Sequence, residues 1–221
     1  SVTIPCLLDA QADRRFANNQ PHSLKLLLRH LNNLNFKNIE VFHPHNAEVV
    51  EAMLDNVTIL DNSKFINTVL FDIKTPPSTL TQFKNENSLI LMSTDAGGFK
   101  PLMKLADKLK WKGEVYSASK SRSTEIPGLL HQQVDRQDFQ GKDILIIDDI
   151  CVKGGTFVGL AKMLKTRNCG KLYLAVSHMT VTDFNEELTH LYDGVFITNS
   201  KNLPHGQVSA KGVDLTILNY K

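Results

Sequence analysis

KDILIIDDICVKGGTFVGLAKMLK, residues 142–165, is the stretch of sequence that decides the fold. It begins with an apolar run of strand length, Ile144–Ile147, and it ends in a helical pattern. A continuous apolar run of this length is typical of a parallel strand that is buried on both faces. The stretch therefore predicts a strand that ends at Ile147, a short loop and a helix, which together form the repeating unit of α/β folds.

The bend between strand and helix carries two adjacent carboxylates, Asp148 and Asp149, and then Gly154, Gly155 and Thr156. Ligands of open α/β sheets bind beyond the carboxyl ends of the strands. Glycines let backbone N–H groups turn toward a ligand, and the N-terminus of a helix favours an anion. Because carboxylates suit sugar hydroxyls or a hydrated metal ion, the bend predicts a ribose-phosphate site. The alternative is that the acids cap the helix and the glycines form an ordinary turn.

Strands and helices alternate along the whole chain, which predicts parallel sheets with right-handed crossovers. Residues 119–127 are interpreted as a polar loop. The other predicted strands are 1–8, 38–42, 57–60, 88–93, 114–118, 171–177, 194–198 and 213–218, and the other predicted helices begin at 23 or cover 47–54, 62–70, 100–110 and 183–190.

A domain boundary is expected within residues 74–87, which contain the Pro-Pro pair and few apolar side chains. We therefore predict two α/β domains with mainly parallel sheets, residues 1–80 and residues 81–221. The first starts abruptly with its strand, which suggests that a segment precedes it.

The composition is that of a globular protein, because 42% of the 221 residues are hydrophobic. Basic and acidic residues nearly balance, at 25 and 23, so nothing in the charge calls for nucleic acid or a membrane surface as a partner. Cys6, Cys151 and Cys169 have no paired spacing and are interpreted as free thiols. Neither an apolar run of about eighteen residues nor a signal peptide is present, so a cytoplasmic protein is expected.

Four other loops carry motifs of their own. They are Ile4-Pro5 with Ala10-Gln11-Ala12-Asp13-Arg14-Arg15, then His43-Pro44-His45, Thr94-Asp95-Ala96-Gly97-Gly98 and Lys120-Ser121-Arg122. Together with Asp148–Thr156, and in this order, they resemble the motifs of ribose-phosphate pyrophosphokinases, a family built from two phosphoribosyltransferase-type domains. The third loop, for example, is similar to the Pro-Asp-Ala/His-Gly-Gly motif of that family. The resemblance covers nearly the whole chain. Within the family, the chain resembles a divergent, phage-encoded branch that is found with enzymes of NAD salvage.

The resemblance implies that the β,γ-diphosphate of ATP moves to the anomeric hydroxyl of ribose 5-phosphate, giving a 1-pyrophosphate and AMP, with Mg²⁺ as cofactor. Such a transfer needs an in-line hydroxyl, cations for the developing charge and a metal ion that bridges phosphates. The adenine site that this family shares between subunits also implies a homo-oligomer. If the chain is phage-encoded, it would work in the host cytoplasm.

Roles for individual residues follow from the same resemblance. The catalytic residues would be Lys120, Arg122 and His45, and a metal ion would contact His45 and Asp95. ATP would be bound by Gln11, Asp13, Arg14 and His45. The ribose phosphate and the diphosphate would be bound by Asp95, Gly97, Gly98, Asp148, Asp149, Lys153, Gly154, Gly155 and Thr156.

The chain departs from the family pattern at several positions. Gln11 stands where the family has arginine, and the family has additional residues before the start of this chain. In the central loop, Val152 replaces an aspartate and Lys153 replaces a threonine. Because the loss of an acid and the gain of a cation make the pocket more positive, ADP-ribose is an alternative acceptor for the same chemistry.

Two further alternatives differ in class. A phosphoribosyltransferase would consume a pyrophosphorylated sugar and a base, but the motifs at His43–His45 and Lys120–Arg122 favour the ATP-dependent reaction. An associated or regulatory subunit would keep the fold without activity. The changes at Gln11 and Val152 favour that reading, whereas the retention of Lys120, Arg122, Asp148 and Asp149 opposes it.

Overall fold

The computed structural model describes residues 1–13, 21–74, 88–122, 130–180, 186–201 and 215–218. The chain divides into two compact units, Ser1–Asn62 and Ser63–Asn219. Both are α/β units with parallel sheets, as the alternation of strands and helices predicted.

The first unit is a three-stranded parallel sheet with the strand order β1-β2-β3. Its elements are β1 (Val2–Ile4), α1 (Ser23–Asn33), β2 (Ile39–Phe42), α2 (Ala47–Met53) and β3 (Val57–Leu60). Leu24 and Leu28 of α1 pack against Ile39 and Val41 of β2, and all four side chains are buried. The helix starts where the sequence placed it because Nδ1 of His22 accepts a hydrogen bond from the backbone N–H of Lys25.

The second unit contains a six-stranded sheet with the order β11-β10-β9-β8-β4-β5, and its neighbouring strands pair in parallel. A two-stranded antiparallel hairpin, β6-β7, accompanies it. In chain order the elements are α3 (Ser63–Lys74), β4 (Leu89–Ser93), α4 (Ala96–Lys108), β5 (Val115–Ser117), β6 (Ser119–Arg122), β7 (Leu130–Gln133), β8 (Asp143–Cys151), α5 (Gly155–Lys165), β9 (Leu172–Met179), α6 (Glu186–Leu191), β10 (Gly194–Thr198) and β11 (Leu215–Leu218).

Two core clusters cover the two faces of the six-stranded sheet. Ile144 and Ile146 of β8 belong to the cluster that contains the buried side of α5. Leu145 and Ile147 belong to the cluster that contains the buried sides of α3 and α4. Burial on both faces explains why β8 begins with an unbroken apolar run, since a strand with one wet face would alternate.

The division between the two units falls before α3, whereas the sequence placed it near residue 80. Phe65, Ile66 and Val69 of α3 pack in the same cluster as Leu91 and Leu145 of the six-stranded sheet. This apolar contact makes α3 part of the second unit. The Pro-Pro segment that suggested the boundary lies outside the described residues.

Strand β8 does not end at Ile147, as the apolar run predicted, but continues to Cys151. The neighbouring strand β9 continues beside it, with Ile150 opposite His178 and Cys151 opposite Met179. Because this pairing keeps the backbone extended, Asp148 and Asp149 lie on the strand itself and not in the loop after it.

Residues 119–127 were interpreted as a polar loop, but Ser119–Arg122 form a strand that pairs with Leu130–Gln133. Polar side chains hid the strand, because the segment lacks the apolar alternation of a half-buried strand. Helix α4 also begins at Ala96, earlier than the predicted residue 100.

The base of the hairpin is anchored by a charged cluster around Glu114. Arg136, which follows β7, donates to one carboxylate oxygen of Glu114 and lies 3.1 Å from the hydroxyl oxygen of Tyr116. Its guanidinium also stands 5.3 Å from the ring centre of Phe139. Lys142 donates to the other oxygen of Glu114. The cluster therefore ties the returning arm of the hairpin to the start of β5 and β8.

We expect Glu114→Gln to lower the unfolding midpoint at neutral pH. The hydrogen bond from Lys142 has the largest effect on Glu114, and with Tyr116 and Arg136 it lowers the pKa of Glu114 against the opposing effect of burial. A lowered pKa in the folded state gives stability that is present above the unfolded value of 4.5 and is lost as the pH falls through the folded value. The loss should be at most about 1 kcal/mol, since the pair is solvent-accessible.

The measurement is thermal unfolding of the wild type and of Glu114→Gln between pH 3 and pH 7, roughly spanning that titration. Glu51→Gln, which changes an exposed glutamate of α2, is the matched control. A difference between wild type and Glu114→Gln that stays constant over this range would contradict the assignment.

Candidate functional site

The loop between β8 and α5 is shaped by Gly154. This residue has a φ of 78°, in the left-handed region, and it precedes the first residue of α5. A Cβ atom at Gly154 would lie 3.0 Å from Cδ1 of Leu188, whereas a Cβ atom at Gly155 would meet no atom within 4 Å. Space is therefore open beside the first turn of α5, where helix N-termini attract anions.

The buried side chain of Cys151 stabilises the start of this loop. Its side chain is 1% exposed, and its sulfur accepts a hydrogen bond from the backbone N–H of Gly154. Burial raises the pKa of the Cys151 thiol to about 12, so the thiol stays protonated. Thr180, which follows β9, also stabilises the start of the loop, because its backbone N–H donates to the carbonyl oxygen of Cys151 at 2.9 Å. These contacts make Cys151 a structural residue of the loop.

The Asp148 carboxyl group is held by the protein on both of its oxygens. Oγ1 of Thr94 donates to Oδ2 at 2.7 Å, and the backbone N–H of Asp149 donates to Oδ1 at 2.9 Å. Burial raises the pKa of Asp148 well above its usual range, and the charge and side chain of Asp149 raise it further. The hydrogen bonds from Thr94 and from the N–H of Asp149 lower it. The neighbouring acid Asp149 thus opposes the ionisation of Asp148.

The second loop of the site, residues 94–98, leads into α4. Asp95 caps that helix, because its Oδ1 accepts the N–H of Gly98 at 3.1 Å. The hydroxyl oxygens of Ser93 and Ser117 lie 2.9 Å and 3.0 Å from the carbonyl oxygen of Asp95. A Cβ atom at Gly98 would come within 3.3 Å of Cβ of Ser93, so the glycine allows a close approach of the backbone. The loop is therefore fixed on the side that faces β5.

The structure brings most of the predicted acceptor-binding residues to the carboxyl ends of β4 and β8 in the six-stranded sheet. Thr94 contacts Asp148 directly, which joins the loop of Asp95, Gly97 and Gly98 to the strand end of Asp148 and Asp149. Gly154, Gly155 and Thr156 follow on the same β8–α5 connection, and Lys153 and Val152 are exposed in it.

Lys120 and Arg122 lie on β6, with Lys120 opposite Gln132 and Arg122 opposite Leu130 of β7. The adjacent residue Ala118 donates its backbone N–H to the carbonyl of Ser93 at 3.0 Å. This contact places the start of the hairpin beside the end of β4, the strand that leads into the 94–98 loop.

Within the first unit, the structure joins two of the segments predicted to bind ATP. Nδ2 of Asn46 donates to Oδ2 of Asp13 at 2.9 Å, and Oδ1 of Asn46 caps α2 by accepting from the N–H of Val49. His45, the residue before this cap, is exposed, as is Gln11. Arg14 lies outside the described residues. Asp13 and the loop of His45 are therefore neighbours, as a shared role requires.

Sequence analysis did not predict the roles that Thr94, Ser117 and Thr180 have in the site. Thr94 was part of a recognised motif, but its partner Asp148 lies 54 residues further along the chain. His178 is also unexpected, because it is 4% exposed and its Nδ1 lies 2.8 Å from Oγ of Ser200. A signal for such pairs exists only in three dimensions.

A resident metal ion would need oxygen ligands if it were Mg²⁺, and Asp95, one of the two residues predicted to contact a metal ion, offers a carboxylate at the site. Among the residues that the structure describes, no three His, Cys, Asp or Glu side chains are grouped closely enough to hold a metal ion by themselves. A single carboxylate fits a Mg²⁺ ion that keeps most of its water ligands. Within the same residues, no helix has the length and apolar character needed to cross a membrane.

The fold and site define an α/β protein with two glycine-containing segments at the carboxyl ends of its central strands. The chain belongs to the phosphoribosyltransferase family: the model of the phosphoribosyl transferase domain matches residues 78–210. This match extends from the segment before β4 to the segment after β10 and so contains both loops of the site.

Known proteins are similar over nearly the whole chain. A ribose-phosphate pyrophosphokinase of Thermococcus kodakarensis is 23% identical over 94% of this chain and 69% of its own length. Ribose-phosphate pyrophosphokinase A of Dictyostelium discoideum is 22% identical over 99% of this chain and 64% of its own length. The crystal structure of a phosphoribosylpyrophosphate synthetase from Mycobacterium smegmatis has the same fold, with a TM-score of 0.77 and 20% identity over 98% of this chain and 66% of that one. The chain thus spans about two thirds of the length of these proteins.

The two loop glycines should respond differently to substitution by alanine. Gly154→Ala should lower the free energy of unfolding by about 1–2 kcal/mol, because an L residue is strained at its positive φ and Cβ would press on Leu188. Gly155→Ala should leave stability unchanged or raise it, since its Cβ would meet open space. Chemical denaturation of the purified variants measures both effects, and equal destabilisation by the two substitutions would contradict the loop geometry.

Proposed function

We propose that the protein transfers the β,γ-diphosphate of ATP to the anomeric hydroxyl of a ribose 5-phosphate group and releases AMP. One observation carries the proposal: the contact between Thr94 and Asp148 puts the Asp95-Ala-Gly-Gly loop next to two carboxylates and a Gly-Gly-Thr loop. Relatives named ribose-phosphate pyrophosphokinases, similar over nearly the whole chain, support it.

The parts of the site suit the parts of the acceptor. The ribose hydroxyls would donate to the carboxylates of Asp148 and Asp149, and the 5-phosphate would take the open space beside Gly155 and Thr156. The loop of Asp95, Gly97 and Gly98 would then face the diphosphate, because it adjoins the same strand end. Holding the acceptor in this way aims its anomeric oxygen at the β-phosphorus and removes much of the entropic barrier.

In the proposed step, the anomeric oxygen forms a bond to the β-phosphorus while the bond between that phosphorus and the α,β-bridging oxygen breaks. AMP leaves with the electron pair of that bond, and the hydroxyl proton passes to solvent. Lys120 and Arg122 of the hairpin would neutralise the charge that develops on the transferred group. Mg²⁺, held in part by Asp95, would supply positive charge that stabilises the phosphate groups during the transfer.

The first unit would bind ATP through Gln11, Asp13, Arg14 and His45. The contact between Asp13 and Asn46 supports this part of the proposal, since it joins two of these segments. A phosphoribosyltransferase would not need such a unit. A homo-oligomer that works in the cytoplasm belongs to the same proposal.

A specific observation favours ADP-ribose as a second candidate acceptor. Val152 and Lys153 are exposed in the loop that would hold the 5-phosphate, and Val152 keeps 47% of its surface exposed. An exposed lysine beside an open pocket can pair with a second phosphate, and an apolar neighbour tolerates a larger substituent. The chemistry at the anomeric carbon would be the same.

An assay of AMP formation tests the proposal. The protein is incubated with ATP and Mg²⁺ alone, with added ribose 5-phosphate, or with added ADP-ribose, and AMP is measured by chromatography. We expect AMP that depends on one of the two acceptors, and the acceptor that supports turnover identifies the substrate. Acceptor-independent AMP would indicate hydrolysis, and no AMP under any condition would leave the phosphoribosyltransferase or the inactive subunit as the better reading.

Lys120→Ala should lower kcat by a factor of about 100 or more and change acceptor binding little, because a cation that meets the developing charge acts in the transition state. Lys112→Ala, which removes an exposed lysine from the segment before β5, is the matched control and should retain wild-type turnover. Steady-state kinetics of both variants separate kcat from KM. Equal kcat for wild type and Lys120→Ala would remove Lys120 from the mechanism.

A further inference from the structure

Thr94 connects the two loops of the site. It follows β4, whose last residue Ser93 is opposite Ile147 of β8, so Thr94 and Asp148 each stand one residue beyond the last paired position. Thr94 is 3% exposed, and its hydroxyl donates to Asp148 at 2.7 Å. A buried hydroxyl is costly to remove from water unless it finds a hydrogen-bond partner, and the Asp148 carboxyl group is that partner.

The backbone around Thr94 is itself held in place. The carbonyl oxygen of Asp95 is within 3.0 Å of the hydroxyl oxygens of Ser93 and Ser117, and the side chain of Asp95 caps α4. Thr94 therefore stands between two fixed residues. Its hydroxyl can act as a rigid support for a partner, since its own main chain has little freedom to follow that partner.

We propose that Thr94 is a positioning residue that acts through Asp148: it orients the Asp148 carboxyl group toward the ribose hydroxyls and sets the spacing between the start of α4 and the last part of β8. This inference rests on the proposed function.

The electrostatics of Asp148 agree with this role. Burial and the neighbouring Asp149 favour the protonated form of Asp148, whereas the hydrogen bond from Thr94 favours the ionised form. An ionised carboxylate accepts hydrogen bonds on both oxygens, but a protonated one has lost part of that capacity. The hydrogen bond from Thr94 offsets part of the rise in the pKa of Asp148, and the same contact fixes the orientation of the carboxyl group.

Thr94→Val and Thr94→Ser test the inference, because valine keeps the shape without the hydroxyl and serine keeps the hydroxyl. The Kd of ribose 5-phosphate is measured by calorimetry without ATP, and KM and kcat are measured by AMP formation. Thr94→Val should raise Kd and KM about tenfold, with kcat changed by less than a factor of about two. Thr94→Ser should restore values close to the wild type.

A purely structural role for Thr94 predicts another result: fewer folded molecules, hence a lower kcat, with Kd and KM unchanged. Unfolding midpoints of both variants are recorded so that this outcome is recognised. Unchanged Kd and KM for Thr94→Val overturn the inference. Loss of binding in Thr94→Ser as severe as in Thr94→Val also overturns it, because the hydroxyl would then not be the cause.

A double-mutant cycle shows whether Thr94 acts through Asp148. In the Asp148→Ala background, Thr94→Val should have no further effect on the Kd, whereas additive effects would overturn the inference. The outcome separates from that of the proposed function. Binding of an acceptor without AMP formation contradicts the transfer reaction alone, and a wild type that binds neither ribose 5-phosphate nor ADP-ribose contradicts both.

Discussion

The unequal length of two neighbouring strands is the constraint on which the site depends. β4 stops pairing at Ser93, opposite Ile147, while β9 accompanies β8 as far as Cys151. Beyond Ile147, β8 pairs on one side only, with β9. On the side that β4 leaves unpaired, the hydroxyl of Thr94 donates to the carboxyl group of Asp148. Ligand loops of α/β proteins gather at such strand ends because the sheet leaves backbone and side chains accessible there.

Much of the fold could be predicted because its signals are local. The apolar runs of the buried strands and the stripes of the helices are short-range patterns, and the alternation of the two gave the parallel sheets. The continuation of β8 to Cys151 and the hairpin at Ser119–Arg122 escaped prediction because each depends on a partner strand. β9 supports the first and β7 supports the second. The assignment of α3 to the second unit escaped prediction for the same reason, since its packing partners lie on later strands.

The candidate site also has one part that local sequence signals predict and another part that depends on distant partners. The carboxylates and glycines of the β8–α5 connection could be found because strand, acids and glycine turn follow each other in the chain. The residues that arrange them could not. Thr94 meets Asp148 across 54 positions, Ser117 meets Asp95 across 22, and Asn46 meets Asp13 across 33. Sequence shows which groups could bind a ligand, whereas the hydrogen bonds that orient those groups are fixed by the fold.

Asp148 and Asp149 show how the site combines stability with binding. A strand buried on both faces carries them into a poorly solvated position, where adjacent carboxyl groups resist ionisation. Thr94 and the N–H of Asp149 offset part of that cost, and further donors would offset more. A ribose offers hydroxyl donors of this kind. A ligand with hydroxyl donors, such as the proposed ribose, would therefore complete an electrostatic arrangement at Asp148 that the fold alone leaves unfavourable.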